Sequence, residues 1–305
     1  MKSIDIGRSG LRAPAILAGC MRIGSMSVQQ ADAFIQTALE CGITMFDHAD
    51  IYGGGSCEEL FGKVLAATPS LRDRVLIQSK CGIRQGYYDF SKEHILASVD
   101  GSLQRLHTDY LDLLLLHRPD TLMEPEEVAE AFGILQSSGK VRRFGVSNQN
   151  PAQMELLQRV LPQKLIANQL QLSATNTGMI DSGINVNTLG AGAVDRDGSV
   201  LEYCRLKEVT IQAWSPFQYG FFEGVFLGNE KYSELNQMLR LLAEQYGVTD
   251  SAIAAAWILR HPANMQVVLG TTNRQRLTDI AKAADIHLSR QEWYAVYRAA
   301  GNILP

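Results

Sequence analysis

The chain of 305 residues is 46% hydrophobic and 20% charged, with mean hydropathy near zero; this fills a large core and excludes disorder, coiled coil and collagen architectures. Its 28 Lys and Arg against 32 Asp and Glu give a net charge of −4 with no basic tract, which argues against nucleic acid as a partner. Length alone allows two domains of ~150 residues or one α/β barrel of ~250 or more.

In chain order, the first apolar stretch, Ala13–Met21, contains Pro14 and Gly19. It is too short to span a bilayer and follows no strongly cationic leader, so no membrane partner is expected. Within it, Ala15–Gly19 reads as the first of eight short β-rich runs. The others are Ile43–Asp47, Val75–Lys80, Leu111–His117, Arg142–Ser147, Leu165–Gln169, Val209–Trp214 and Gln266–Gly270. Helical patterns lie between them: Ile95, Val99, Leu103 and Leu106 recur at helical spacing, as do Leu235, Leu239, Leu242 and Tyr246. Strands that alternate with helices run parallel through right-handed crossovers, and a parallel sheet covered on both faces explains the continuous run Leu113–Leu116. Eight such units predict a single (β/α)8 TIM barrel over residues 1–305, with a C-terminal helical segment after Ser289. An open doubly wound sheet is disfavoured, because no G-x-G-x-x-G follows the first strand and no Walker A sequence is present.

One stretch breaks the rhythm. Ser173–Ser199, after the sixth strand, is rich in Asn, Gly, Ser, Thr and Asp without periodicity, and reads as a long loop, either functional or a tolerated surface insertion. A shorter loop, Cys81–Phe90, carries Tyr87, Tyr88 and Phe90. Together with the Ser173–Ser199 stretch and with Phe217, Tyr219, Phe221 and Phe222, these predict a largely aromatic substrate pocket for carbonyl compounds with an apolar portion. The five cysteines, Cys20, Cys41, Cys57, Cys81 and Cys204, form no close pair, which fits free thiols in a reducing cytoplasm.

In such a barrel the chemistry sits at the carboxyl ends of the strands. Polar residues end nearly every run: Asp47 leading to Tyr52, Lys80, His117, Ser147 with Asn148, Gln169, Trp214 with Ser215, and Gly270 with Thr271 and Thr272. Each alone has a plain structural reading, Asp47 as a cap, Tyr52 as packing, Lys80 as a snorkelling side chain, His117 as a turn residue. Together Asp47, Tyr52, Lys80 and His117 compose a proton relay. A neighbouring ammonium lowers the phenol pKa, a carboxylate offsets the ammonium's desolvation, and the histidine donates to a substrate oxygen. Such a set suits carbonyl reduction, with the hydride drawn from a cofactor because no side chain supplies one.

These residues sit in longer motifs: FDHADIYG (Phe46–Gly53), IQSKCG around Lys80, LLLLHRPD around His117, GKVRRFGVSN (Gly139–Asn148) and LGTTNRQRL (Leu269–Leu277). Five in order, over nearly the whole chain, resemble the aldo-keto reductase superfamily. The resemblance implies an NADP(H)-dependent oxidoreductase that reduces aldehyde or ketone carbonyls to alcohols, with the tetrad Asp47, Tyr52, Lys80 and His117 and with Tyr52 as general acid. It further implies Ser147, Asn148 and Gln169 on the nicotinamide carboxamide, Trp214 stacked on the ring, and Ser215, Pro216 and Phe217 near the pyrophosphate. Gly270, Thr271 and Thr272 precede a helix start that favours phosphate, Arg276 falls on the adenosine 2′-phosphate, and Asn273 and Arg274 are weaker additions.

Two positions depart from the family pattern. Asp279 and Ile280 stand where Glu-Asn often contacts adenine, and Met21-Arg22 leaves the ribose contact near the first strand to the main chain. Two competing readings are a metal hydrolase built on Asp47, His48 and Asp50, and a cofactor-binding regulatory barrel with little turnover. Few histidines lie at strand ends, which argues against the first, and the complete tetrad argues against the second.

Overall fold

The computed structural model describes residues 1–305. A hairpin of β1 (Ser3–Asp5) and β2 (Arg12–Pro14) precedes the barrel. The barrel strands are β3 (Ile16–Gly19), β4 (Met45–Asp47), β5 (Leu76–Cys81), β6 (Leu113–Leu116), β7 (Phe144–Ser147), β8 (Leu165–Gln171) and β9 (Thr210–Trp214). After a small antiparallel ribbon of β10 (Gln218–Tyr219) and β11 (Gly224–Val225), β12 (Gln266–Leu269) completes the set. All neighbouring barrel strands pair in parallel, and β12 closes the ring between β9 and β3. The eight apolar runs of the sequence correspond to these eight strands.

The helices are α1 (Val28–Glu40), α2 (Ser56–Ala67), α3 (Lys92–Leu106), α4 (Pro125–Ser137), α5 (Pro151–Gln158), α6 (Gly178–Ile184), α7 (Val200–Leu206), α8 (Ser233–Tyr246), α9 (Asp250–Leu259), α10 (Arg274–Ala281) and α11 (Arg290–Ala299). Local sequence starts several of them: Ser27, Asn150 and Ser289 form reciprocal capping boxes with Gln30, Gln153 and Glu292, which satisfies otherwise orphaned N–H groups. On α3, Ile95, Val99, Leu103 and Leu106 face inward as their spacing requires. α9 is buried almost throughout, from Ala252 to Ile258, while α11 packs outside it on α8.

The hairpin closes the amino-terminal end of the barrel. Gly7, at its tip, donates to Thr210 Oγ1 at 2.9 Å and adopts φ +57°. A Cβ there would lie 2.6 Å from the Ile166 side chain, so only glycine fits. Ile6, Leu17, Met45, Leu113, Leu115, Ile166 and Val268 form the apolar floor above it. The polar mouth is left at the opposite end.

The Ser173–Ser199 stretch is not a plain loop. It holds α6, whose Met179 and Ile180 are buried, and a short turn at Ala191–Ala193. The helix is too brief for periodicity to announce it. The stretch is joined to the C-terminal segment through Tyr297 Oη to Asp181 (2.6 Å) and Asn302 Nδ2 to the Ala174 carbonyl (3.0 Å). No helix of the structure is long and apolar enough to cross a membrane.

Candidate active site

Four adjacent elements bring the sequence-predicted relay together. Asp47 ends β4, Tyr52 opens the turn that follows, Lys80 is the penultimate residue of β5, and His117 follows β6. Lys80 is completely buried, and its ammonium has one acceptor for each proton: Asp47 at 2.8 Å, the His48 carbonyl at 2.7 Å and Tyr52 Oη at 3.1 Å. Burial opposes its charge, but Asp47 and Tyr52 outweigh that, and its pKa lies above the ordinary lysine value. The ammonium is therefore charged at neutral pH.

Tyr52 departs from the sequence reading. Burial raises its pKa, and the lowering by Lys80 does not compensate. The resting group is the phenol, and the ammonium offsets only part of the cost of releasing its proton. His117 is pushed well below the ordinary histidine value by burial and by the charges of Lys80 and Arg118, so its ring is neutral. Its Nδ1 is buried without a partner. One proton is then best carried on Nε2, as a donor.

Below the relay lies a hydrogen-bonded ladder of glutamines that sequence reading missed. Gln78 and Gln169 both donate to Asp47 Oδ1, the latter at 3.0 Å. Gln169 also donates to Gln212 Oε1 (3.2 Å), and Gln212 donates to Gln78 (2.9 Å) and Gln266 (3.0 Å). Gln266 ends the chain at the Pro14 carbonyl at 2.7 Å. All four side chains are buried. A barrel interior usually filled with branched apolar residues here carries a connected amide network from its floor to the Asp47 carboxylate.

The mouth is a cavity of about 900 Å³. Its wall includes Asp47, Tyr52 and His117, together with Ser147, Asn148, Gln169, Trp214, Ser215, Pro216, Phe217, Gly270, Thr271 and Arg276. Lys80 lies behind Tyr52 and does not reach the wall. Nor do Thr272 and Asn273: Asn273 instead caps α10 through the Arg276 N–H at 2.9 Å. Arg274 turns away to Thr37 on α1 (2.7 Å). Asn148 and Ser215, both on the wall, hold left-handed backbone at φ +57° and +50°. Trp214 Nε1 donates to Asn148 Oδ1 (3.1 Å), and Asn148 Nδ2 to Ser147 Oγ (2.8 Å).

Further residues complete the wall. Arg22 extends its side chain to the Gly270 carbonyl at 3.0 Å, so more than main chain is offered there. Arg118, Thr249, Asp250 and Ser251 also line the cavity, as do Asp279 and Ile280. The expected aromatic lining is narrower than its sequence reading: Phe217 and Phe222 face the cavity, whereas Tyr87, Tyr88, Tyr219 and Phe221 are not part of its wall. Phe90 is core, packed over Gly82. No residue of the Ser173–Ser199 stretch reaches the cavity; Ser173 and Thr175 instead bind the Gln218 carbonyl and buttress the loop after β9. No group of three or more His, Cys, Asp or Glu side chains is arranged to hold a metal ion, and Asp47 is engaged by Lys80 and two amides.

The sequence model of the Aldo/keto reductase family matches residues 15–300. The chain is 38% identical over 299 residues to the uncharacterized oxidoreductase YcsN of Bacillus subtilis, covering 93% of each chain. It is 37% identical over 299 residues to a 6-dehydroglucose reductase of Agrobacterium fabrum, again covering 93% of each. Among solved structures, an aldo-keto reductase from Klebsiella pneumoniae in complex with NADPH is similar with a TM-score of 0.79 at 26% identity, covering 100% of this chain and 96% of that one. The protein belongs to the aldo/keto reductase family of oxidoreductases.

Proposed function

We propose that the chain acts as one barrel domain that reduces aldehyde or ketone carbonyls to alcohols with NADP(H), and that Tyr52 is the general acid. The observation that carries this reading is the position of Lys80 Nζ between Asp47 and Tyr52 Oη at the base of a cavity that also contains Arg276. The wall suits a nicotinamide dinucleotide. Gln169 uses its N–H groups on Asp47 and Gln212, leaving its carbonyl oxygen as an acceptor, and Asn148 retains one N–H as a donor. A carboxamide needs both. Trp214 offers an aromatic face. At the far end Gly270, Thr271 and the start of α10 suit phosphate, and Arg276 has no protein side-chain partner, which favours a 2′-phosphate and hence NADPH over NADH.

Nicotinamide, when bound, supplies the hydride. The neutral His117 orients the carbonyl oxygen and stabilises its developing charge, and the Tyr52 phenol delivers the proton to that oxygen. Lys80 steadies the phenolate as the proton leaves, while Asp47 keeps Lys80 charged in a buried site.

The test is NADPH oxidation by purified protein across aldehydes, ketones and quinones, with NADH in parallel. An oxidised hexose aldehyde of the kind named for the Agrobacterium relative belongs in the panel. Carbonyl-dependent turnover with NADPH preferred supports the reading. Binding of NADPH without turnover on any carbonyl overturns it in favour of a regulatory barrel.

A further inference from the structure

Arg118 stands apart from the other partly buried arginines. Arg72 is paired with Asp112, Arg105 with Glu58, Arg143 reaches the carbonyls of Arg142 and Ser9, and Arg260 reaches that of Leu288. Arg118 is also partly buried, yet its guanidinium has neither an ion pair nor a hydrogen bond within the protein. It sits in an aromatic slot, 5.5 Å from the ring centroids of both Trp214 and Phe221, whose rings meet edge to face. The rings pack beside the group and offer no counter-charge.

Position makes that vacancy in the charge pattern chemical. Arg118 directly follows His117 and lines the same cavity as His117 and Tyr52. The ionisable side chains that act on it are Tyr88 and Tyr52, and neither is a carboxylate. The carboxylates on the cavity wall are Asp47, already matched by Lys80, and Asp250 and Asp279, which stand on α9 and α10 beside the last barrel strand. The reacting end of the cavity therefore holds one uncompensated positive charge whose planar N–H groups match an oxyanion two at a time.

We infer that Arg118 is an anion-recognition subsite and that the preferred substrate is a carbonyl compound bearing a carboxylate, phosphate or sulfonate group close to the carbonyl. This rests on the reading of Tyr52 and His117 as the reacting end. The anion pairs with Arg118 on the cavity side, beside Trp214, and its short tether sets the carbonyl beside the Tyr52 hydroxyl and the His117 ring. Attraction at this subsite acts on binding and orientation, so it lowers KM more than it raises kcat.

The experiment compares matched aldehydes in wild type and Arg118→Met, in NADPH-dependent reduction: 4-oxobutanoate with its methyl ester, and glyceraldehyde 3-phosphate with glyceraldehyde. A parallel titration of cofactor-free protein with benzoate and benzamide reads binding through tryptophan fluorescence, which does not require turnover. The expected wild type favours at least one charged aldehyde over its neutral counterpart by about 30-fold in kcat/KM, a difference of roughly 2 kcal/mol at ~1.4 kcal/mol per tenfold. Most of it lies in KM. In Arg118→Met the ratio collapses to within about threefold of unity and the affinity for benzoate falls by a similar factor. The carboxylate and phosphate pairs tell which oxyanion fits. A wild-type ratio near unity for both pairs, or a ratio and a benzoate affinity unchanged by Arg118→Met, overturns the inference. Benzoate binding that depends on Arg118 in a protein that reduces none of the aldehydes upholds the subsite and counts against the reductase reading instead.

Discussion

Gln169 donates its side-chain amide to Asp47 across the barrel, at 3.0 Å, and is held there by Gln212. The bond joins the cavity wall to the Asp47–Lys80–Tyr52 hydrogen-bond chain: one side chain holds the carboxylate that faces Lys80 and leaves its carbonyl oxygen free. With Gln78 on the same oxygen, Asp47 is held as an acceptor, which is what a buried ammonium beside it requires.

Gln212 is the member on which the ladder depends. Gln212→Leu removes the donor to the Gln78 and Gln266 carbonyl oxygens and the acceptor for Gln169, all of them buried. At roughly 1–3 kcal/mol for each of the three orphaned groups, unfolding in denaturant should show a loss of at least about 3 kcal/mol. Reduction should also slow, because Gln169 is released from one of its two anchors. Unchanged stability would mean that water replaces the lost partner and that the ladder is not a single network.

Much of this architecture was legible in the sequence. Strands covered on both faces read as short apolar runs, and all eight barrel strands were marked that way. Asp47, Lys80 and His117 stand at strand ends, and Tyr52 in the turn after one, the positions a barrel gives to chemistry. The ladder was passed over because a lone glutamine within a strand looks like an ordinary polar intrusion. A signal was present: Gln78 lies two residues before Lys80, and Gln212 two before Trp214, so strand alternation turns each to the same inward side as its partner. The hairpin strands are three residues each, too short for alternation to register. The pocket lining was misjudged where loop paths decide it. Nothing in the order Tyr87, Tyr88, Phe90 tells that Phe90 folds into the core while the tyrosines stay exposed. The sign of the Tyr52 shift depends on how deeply the hydroxyl is buried, which sequence does not state.

Arg276 should separate the two nicotinamide cofactors. Arg276→Met is expected to raise KM for NADPH by roughly 10- to 100-fold, the value of a charged hydrogen bond, with NADH affected no more than about threefold. Steady-state kinetics with each cofactor at saturating aldehyde measures it. Equal losses for both would place Arg276 outside phosphate recognition.

The raised Tyr52 pKa sets opposite pH dependences for the two reaction directions. Reduction consumes the phenol, so its kcat/KM should stay level through neutral pH and hold to the ordinary tyrosine value of ~10. Alcohol oxidation needs the phenolate and should rise up to tenfold per pH unit over the same range. A reduction profile that falls between pH 7 and 9 would contradict the burial effect.

His48 gives a stability prediction. Burial, with the charge of Lys80, lowers its pKa from 6.5 to about 3, and neither ring nitrogen has a partner. Its unfolded form therefore binds a proton that the folded form refuses between those values. The contribution to stability is complete above about 6.5 and is lost as the pH falls toward 3, by at most about 1.4 kcal/mol per pH unit. His48→Leu, of similar volume, should keep stability at pH 7 within about 1 kcal/mol and flatten the loss between pH 6 and 4, measured by thermal unfolding. An acid limb as steep as in the wild type would assign the loss to other groups, of which His261, lowered to about 4, is the first to examine.

The most direct measurement is a comparison of wild type and Tyr52→Phe, in which NADPH-dependent reduction of one accepted aldehyde and the NADPH dissociation constant are determined on the same preparations. The expected result is a fall in kcat of at least about 100-fold, in the range that general acids contribute, with NADPH affinity changed no more than about threefold. A variant that reduces the aldehyde within tenfold of the wild-type rate would contradict the assignment of the proton to Tyr52.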